Sequence, residues 1–345
     1  MMRERFLAIT SRYAALRVAL AGDFCLDRYL EIDPSKAETS LETGLPVHNV
    51  VRVRSQPGGA GTILNNLEAL GAGAVHTVGF CGEDGEGFEL LRALESTRGV
   101  RLDYFVRTPA RRTFTYCKPL VVEAGRPPVE LNRLDSKNWT PTPPEIEARI
   151  CDAVESLAAQ VDALVILEQV DLAETGVVTR GVLECIGRIA RARPGLLVLA
   201  DSRRSLEGWP PVCLKMNRTE LAKLAGLADA GGLASVRGLA SDLARSRGTR
   251  VFVTLGPEGL LGAMPDGSVE HVPALPARGP IDIVGAGDAV SANLACALAA
   301  GASLREALKL AGAAASVVIH KLGTTGAATP SEIAPLLCKD REVPR

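Results

Sequence analysis

The sequence has few aromatic residues, no excess of basic charge and no long apolar run. Phe, Trp and Tyr make up 4% of a chain that is 47% hydrophobic, which predicts a core of Ala, Leu and Val. Its 39 Lys and Arg residues are balanced by 40 Asp and Glu residues, so no overall positive field favours nucleic acid. No run reaches the length of a membrane span, and the first ten residues mix charged with apolar side chains. We therefore expect a cytoplasmic protein with neither nucleic-acid nor membrane partners.

Clustered metal ligands are also missing. The eight cysteines contain no C-x-x-C pair, and several fall inside apolar patterns, so buried free thiols are expected instead of disulfides or a zinc site. The four histidines are far apart and lack ligand spacing: His48, His76, His271 and His320. There is no internal repeat and no low-complexity segment. The length of 345 residues is enough for one large domain or two.

What the sequence does contain is an alternation of strand-like and helix-like segments. This alternation predicts an α/β fold with a mostly parallel sheet covered on both faces. Two looser segments, about 31–55 and 103–134, predict a small exposed sheet, the second through strands at 112–118 and 120–123. A short opening helix is predicted at 4–16. The main strands are predicted at 17–22, 75–80, 163–167, 196–200 and 251–255.

The segment 282–288, Asp-Ile-Val-Gly-Ala-Gly-Asp, is the strongest local signal. An alanine-rich run follows it and closes at Gly301, which predicts a helix that begins at the glycines. The free N–H groups of a first helical turn favour an anion such as phosphate. Asp288 would repel a phosphate unless it has a task, such as accepting a proton from an attacking hydroxyl. The alternative is an ordinary first-turn acid on a buried helix.

Other polar residues fall at the ends of predicted strands. Asp23 and Asp27 follow the first strand, at the edge where open α/β sheets bind ligands. Asn217 and Glu220 open a helix, where Glu220 either orients a hydrated magnesium ion or completes a plain capping box. The turn 254–259 either approaches a nucleotide or simply closes a hairpin. The paired arginines of loop 202–205 either clamp a phosphate or are solvated.

Taken in chain order, these motifs resemble the PfkB, or ribokinase-like, family of carbohydrate kinases. The resemblance rests on a glycine pair after an early strand, a Thr-x-Gly-x-x-Gly turn and, above all, Gly-Ala-Gly-Asp opening an Ala-rich helix. Segments 22–29, 57–60 and 321–324 further resemble the heptose 7-phosphate kinase branch. The resemblance implies a ribokinase-like three-layer α/β sandwich with a small β-sheet lid, formed by one domain over 1–345. It also implies phosphoryl transfer from ATP, with Mg²⁺, to a hydroxyl of a sugar or sugar phosphate.

The resemblance implies a role for each motif residue. Asp288 would be the catalytic base, and backbone N–H groups of the three residues before it would stabilise the transferred phosphoryl group. Glu220 would act on magnesium through water. The implied residues are, for catalysis, Gly285, Ala286, Gly287 and Asp288; for the sugar, Asp27, Gly58, Gly59 and Thr62; and for the nucleotide, Asn217, Glu220, Thr254, Gly256 and Gly259.

The sequence departs from the family pattern mainly around the substrate. Thr62 stands where the family usually has Asn, and it cannot offer the two-sided hydrogen bonding of an amide. Ile283 and Val284 stand where threonine is common, which bears on whether a monovalent cation binds. Two alternatives stay open: a nucleoside or other small-alcohol kinase of the same fold, and a non-catalytic sugar- or nucleotide-binding member of the family. Unpaired lid edges predict a homodimer formed through the lid.

Overall fold

The computed structural model describes residues 1–323 and 325–338, so Thr324 of the segment 321–324 lies outside the described residues. The helices are α1 (Arg3–Thr10), α2 (Ala60–Leu70), α3 (Gly85–Glu95), α4 (Pro144–Ala158), α5 (Arg180–Ala192), α6 (Arg218–Leu224), α7 (Leu233–Arg247), α8 (Ala286–Ala299), α9 (Leu304–Val318) and α10 (Pro330–Leu337). The strands are β1 (Arg17–Gly22), β2 (Phe24–Ile32), β3 (Glu38–Thr39), β4 (Pro46–Val47), β5 (Val50–Gly59), β6 (Ala74–Gly82), β7 (Val100–Arg101), β8 (Phe105–Thr108), β9 (Thr115–Val121), β10 (Val129–Glu130), β11 (Leu134–Ser136), β12 (Ala163–Glu168), β13 (Leu197–Ser202), β14 (Cys213–Asn217), β15 (Val251–Thr254), β16 (Leu260–Ala263) and β17 (Val269–Val272).

A large central sheet runs in the order β17-β16-β15-β14-β13-β12-β1-β6-β7, and β8 also pairs with β6. Its pairings are parallel from β15 to β7, and only β15, β16 and β17 pair as antiparallel neighbours. Parallel neighbours must be joined by a crossover connection, and the helices between the strands of this sheet supply such connections. The predicted mostly parallel sheet is confirmed.

Two hydrophobic cores cover the two faces of this sheet. Alternate residues of β1 show the division, since Val18 and Leu20 belong to one core and Ala19 and Ala21 to the other. The first core includes residues of α1, α2, α3, α8, α9 and α10, and the second includes residues of α4, α5, α6 and α7. Alternation within a strand and helices on both sides give the predicted three-layer sandwich.

A second, smaller sheet has the order β10-β9-β2-β5, with β11 also paired to β9, and β3 pairs with β4 separately. We call the β2, β5, β9, β10 and β11 sheet the lid. β2 pairs with β5 as an antiparallel strand and with β9 as a parallel one. It follows β1 after a single residue, so it leads directly from the central sheet into the lid. Within the segment 103–134, Phe105–Thr108 pairs with β6 in the central region and not with the lid strands.

Two predicted elements were wrong in their extent. The opening helix ends at Thr10, whose hydroxyl donates to the Phe6 carbonyl oxygen, and a separate 3₁₀ turn at Tyr13–Ala15 follows. The predicted strands at 112–118 and 120–123 are a single strand, β9, which runs through Pro119. Proline removes one donor from a ladder, but its carbonyl still accepts a hydrogen bond from Leu131 N–H at 2.9 Å.

All eight cysteines lie among the described residues and are free. The buried free thiols that the sequence predicts are found at Cys25, Cys81, Cys117, Cys185 and Cys296, whereas Cys151, Cys213 and Cys338 are partly exposed. Within residues 1–323 and 325–338, no helix combines the length and the apolar character that crossing a bilayer requires.

Candidate active site

The amino terminus of α8 has the geometry of an anion site. Gly285 precedes the helix with a φ of 82°, a left-handed conformation that suits glycine. Ala286 N–H already donates to the Ile283 carbonyl oxygen at 3.2 Å, so it is not the free donor that the sequence suggested. The N–H groups of Gly285 and Gly287 have no acceptor among the described residues. These free donors and the positive end of the helix dipole therefore remain for an anion.

Asp288 lies in the first turn of the same helix. Burial raises the pKa of Asp288 to about 7, and the Lys215 ammonium acts against this rise, whereas the Asp201 carboxylate adds to it. Arg203 and Asp27 also act on the pKa of this carboxyl group, so side chains from β2, β13, β14 and the loop after β13 surround it. A general base works best when its pKa is near the working pH. Asp288 meets that requirement near neutrality.

The predicted sugar-binding residues converge on this helix. Asp27 in β2 is buried, and a Cβ atom added to Gly58 in β5 would lie 2.5 Å from its Oδ2, so the glycine leaves room for the carboxylate. Gly59 ends β5, and Thr62 lies in the first turns of α2. A Cβ atom on Gly285 would lie 3.6 Å from the Thr62 methyl group. The structure therefore places Thr62 of α2 against the α8 terminus, and Asp27 of the lid lies near enough to act on the pKa of Asp288.

Asp23 does not face a ligand, contrary to the expectation for both early acids. Its side chain is completely buried, and it accepts hydrogen bonds from the backbone N–H groups of Gln169 at 2.8 Å, Val170 at 3.1 Å and Val177 at 2.7 Å. Burial raises the pKa of Asp23 to about 6, although these three hydrogen bonds lower it. Asp23 holds the loop after β12 in place beside the site.

Asn217 and Glu220 form the capping box of α6. Glu220 N–H donates to Asn217 Oδ1 at 2.9 Å, and Asn217 N–H donates to Glu220 Oε2 at 2.7 Å. Burial raises the pKa of Glu220. The other oxygen, Oε1, has no hydrogen bond among the described residues, so the capping role leaves it available to a water molecule. No group of three or more His, Cys, Asp or Glu side chains in the described chain could hold a metal ion directly.

The turn 254–259 closes the hairpin between β15 and β16. Thr254 pairs with Asn217 across β14 and β15, and Arg218 contacts Glu258 at 2.5 Å, so the turn lies beside the start of α6. Gly259 is required by packing, because a Cβ atom would meet the Val272 carbonyl oxygen. A Cβ atom on Gly256 would have no neighbour within 4 Å, so this glycine leaves open space at the turn.

Sequence reasoning missed four polar residues beside the site. Lys215 and Asp201 form an ion pair with Nζ and Oδ2 2.7 Å apart, and Ser291 Oγ lies 3.1 Å from the same Oδ2. On the lid, Lys118 Nζ lies 3.1 Å from Asp27 Oδ1. The sequence did offer one signal for Lys215: it is the single charged residue in the apolar segment 212–216, and a lysine in such a place is rarely buried unless it is paired.

The two arginines of loop 202–205 differ in their surroundings. Arg204 pairs with the buried Glu168 carboxylate at 2.7 Å, which explains it structurally. Arg203 is exposed, and its charge partly counteracts the effect of burial, which raises the pKa values of Asp288 and Glu220. The expectation of solvated arginines therefore fits Arg203 alone.

Sequence comparison places these motifs in a known family. The profile described as "pfkB family carbohydrate kinase" matches residues 24–331. The chain is 33% identical over 308 residues to "Bifunctional protein HldE" of Azorhizobium caulinodans, covering 89% of this chain and 61% of that protein. It is also 33% identical over 337 residues to the protein of that name from Pelobacter propionicus, covering 96% and 65%. The chain therefore spans less than two thirds of the length of these relatives.

Solved structures with a similar fold include an Arabidopsis thaliana ribokinase complexed with ribose and ATP. It has a TM-score of 0.65 and 20% identity, covering 94% of this chain and 99% of that one. The Escherichia coli phosphofructokinase-2 in complex with fructose-6-phosphate has a TM-score of 0.67 and 19% identity, covering 93% and 97%. At this identity the likeness establishes the ribokinase-like fold.

Proposed function

Because the chain belongs to the PfkB family of carbohydrate kinases, we propose that it transfers the γ-phosphate of ATP to a hydroxyl group of a sugar phosphate. One observation carries the proposal: a carboxylate with a pKa near 7 lies in the first turn of α8, beside the free N–H groups of Gly285 and Gly287. A base and an anion site at one helix terminus are what transfer from a phosphate to a hydroxyl requires.

In this proposal Asp288 accepts the proton of the acceptor hydroxyl. The hydroxyl oxygen then forms its bond to the γ-phosphorus as the bond to the ADP oxygen breaks. The N–H groups of Gly285 and Gly287 stabilise the negative charge on the oxygens of the moving phosphoryl group, where electrostatic stabilisation matters most. Asp27 in the lid accepts hydrogen bonds from sugar hydroxyls, and the adjacent Gly58, Gly59 and Thr62 line that position.

Asn217, Thr254, Gly256 and Gly259 are proposed to hold the nucleotide at the ends of β14 and β15. Magnesium would neutralise charge on the ATP phosphates when bound. The one unbonded oxygen of Glu220 suits contact with the ion through a water molecule. A monovalent cation would bind beside the loop that contains Ile283 and Val284, and adding or withholding potassium in the assay tests whether the reaction uses one.

Lys118 favours an acceptor that carries a negative charge. Its ammonium group lies 3.1 Å from Asp27 Oδ1, 3.4 Å from Tyr29 Oη and 4.8 Å from the Tyr29 ring centre. Burial lowers the pKa of Lys118, but the Asp27 carboxylate and the Tyr29 hydroxyl together more than offset this effect, so the pKa is raised. A lysine kept charged beside the sugar position suits a phosphate group on the sugar, as in a heptose 7-phosphate. A nucleoside would not use this charge.

The proposal is tested by measuring ADP formation with Mg-ATP on a panel of sugars, sugar phosphates including heptose 7-phosphate, and nucleosides. We expect turnover on a sugar phosphate, with a lower KM than on the same sugar without phosphate. Preference for a nucleoside would make the protein a nucleoside kinase of the same fold. Binding of ATP or a sugar with no turnover on any acceptor would favour a non-catalytic family member.

The rate is expected to depend on pH through Asp288. A base must be ionised to accept a proton, so with a pKa of about 7 the value of kcat/KM falls about tenfold per unit below that pH and levels off above it. A pH series from about 5 to about 9, with enzyme stability checked at each end, measures this limb. A rate that stays level down to about pH 5 would mean that Asp288 has an ordinary pKa or is not the base.

We also propose a cytoplasmic homodimer that forms through the lid. Large apolar side chains are exposed on lid strands, among them Val51 and Val53 of β5, Val129 of β10 and Leu134 of β11. Exposed apolar patches and unpaired strand edges favour pairing with another chain. Light scattering should give twice the mass of one chain, and a Val51→Asp/Val53→Asp variant should give a single-chain mass with its thermal unfolding unchanged. A monomeric wild type would remove this part of the proposal.

A further inference from the structure

Lys215 and Asp201 form a buried ion pair between neighbouring central strands. The two residues are register partners in β14 and β13, and their relative exposures are 7% and 8%. Burial lowers the pKa of Lys215, but the carboxylates of Asp201, Asp288 and Glu220 together outweigh this effect, so the pKa is raised and the amine stays charged. Taking two charges out of water is costly, and a buried pair is weak evidence for stability. A role in the site is therefore the better explanation for this pair.

The ammonium group of Lys215 lies against the anion site of α8. A Cβ atom added to Gly287 would be 3.0 Å from Nζ, so any side chain at that position would meet the lysine. Ser291, one turn further along α8, places its Oγ 3.1 Å from Asp201 Oδ2 and 3.2 Å from the Gly287 carbonyl oxygen. These contacts join β13, β14 and the first turn of α8 around one positive charge.

We propose that Lys215 is a catalytic residue whose ammonium group contacts the phosphoryl group during transfer, while Asp201 and Ser291 position it. This inference rests on the proposed kinase function. Lys215 has three N–H donors, and Asp201 is its single hydrogen-bond partner among the described residues. The transferred phosphoryl group spreads negative charge over three oxygens, and the free N–H groups of Gly285 and Gly287 are neutral donors. Lys215 supplies a full charge there and stays protonated throughout.

The test uses the double variant Lys215→Met/Asp201→Asn. Methionine keeps most of the length of the lysine side chain, and removing both charges avoids leaving Asp201 buried and unpaired. We expect kcat to fall at least about a hundredfold, as for other lost transition-state donors, with the KM of the sugar phosphate changed less than about threefold. Lys223→Met, which removes an exposed lysine on α6, is the matched control and should keep the wild-type kcat.

A binding measurement separates catalysis from structure. Calorimetry compares a non-hydrolysable Mg-ATP analogue with Mg-ADP, and the double variant should lose affinity for the analogue while its affinity for ADP stays unchanged. Equal losses for both nucleotides, or a kcat within about threefold of the wild type, would overturn the inference.

A second variant, Ser291→Ala, tests the positioning role of the serine. It should lower kcat several-fold without raising KM, and it provides a test of the inference if the double variant does not fold.

The proposed kinase function and the proposed role of Lys215 would be contradicted by different results. A wild type that phosphorylates no acceptor defeats the proposed function, whereas the difference between analogue and ADP binding still decides whether Lys215 contacts the terminal phosphate. A kinase that works normally with Lys215→Met/Asp201→Asn keeps its proposed function and defeats only the inference.

Discussion

Replacing Asp288 with Asn is expected to lower kcat by about 10² to 10⁴-fold, the range for a lost general base. Asparagine keeps the size of the side chain and can still hydrogen-bond to the acceptor hydroxyl, but its amide cannot take up the proton. The KM values for ATP and for the sugar phosphate should therefore change little. Steady-state ADP formation, measured at about pH 8 where the wild-type carboxylate is ionised, gives both parameters.

Stability measurements exclude misfolding as the cause of such a loss. Burial raises the pKa of Asp288 in the folded protein above the ordinary value of 3.8, so this group binds its proton more tightly when folded. Its contribution to stability is therefore present at low pH and is lost as the pH rises through about 7. At pH 8 the Asn variant should be at least as stable as the wild type. Asp266→Asn, in an exposed turn, is the control, and unchanged kcat in Asp288→Asn would remove the role of base.

The helix at 286–299 and most of the central strands could be predicted because their signals are local. Apolar runs of strand length, bounded by glycine or proline, recur between helical patterns, and a glycine-rich start followed by alanines defines α8. Local signals failed at Pro119, where the sequence predicted a break. β9 continues because it has a neighbour on each side. On one side Leu30 of β2 is the register partner of Pro119, and Ile32 accepts a hydrogen bond from Val122 N–H; on the other side Leu131 N–H donates to the Pro119 carbonyl oxygen.

The parts of the site that the sequence did not reveal depend on which strands become neighbours. Asp201 and Lys215 are 14 residues apart, and they meet because β13 and β14 are parallel and pair in one particular register. Lys215 and Asp201 were missed, whereas Asp23 was wrongly expected to face a ligand because it follows β1. Its partners are backbone N–H groups of residues 169, 170 and 177, more than 140 residues later, which no local pattern indicates.

Replacing Gly58 with Ala is expected to raise the KM of the sugar phosphate about a hundredfold while leaving nucleotide binding intact. An added Cβ atom would lie 2.5 Å from Oδ2 and 2.8 Å from Cγ of Asp27, far inside van der Waals contact. The Asp27 carboxylate must therefore move, and its ion pair with Lys118 moves with it. A carboxylate that binds two sugar hydroxyls contributes about 1.5 kcal/mol or more for each hydrogen bond, and about 3 kcal/mol corresponds to a hundredfold in affinity.

Gly238→Ala is the matched control for this substitution, because an added Cβ atom there has no neighbour within 4 Å and the residue lies inside α7. Alanine favours a helix interior over glycine, so the control should be slightly more stable and fully active. Calorimetry should give the same ATP affinity for Gly58→Ala and the wild type, and the variant should fold but unfold at a somewhat lower temperature, because the largely buried Asp27–Lys118 pair is disturbed. If the KM of the sugar phosphate stays within about threefold while the variant folds, Asp27 does not bind the acceptor. If ATP affinity falls as well, the glycine supports the whole site and not the lid side alone.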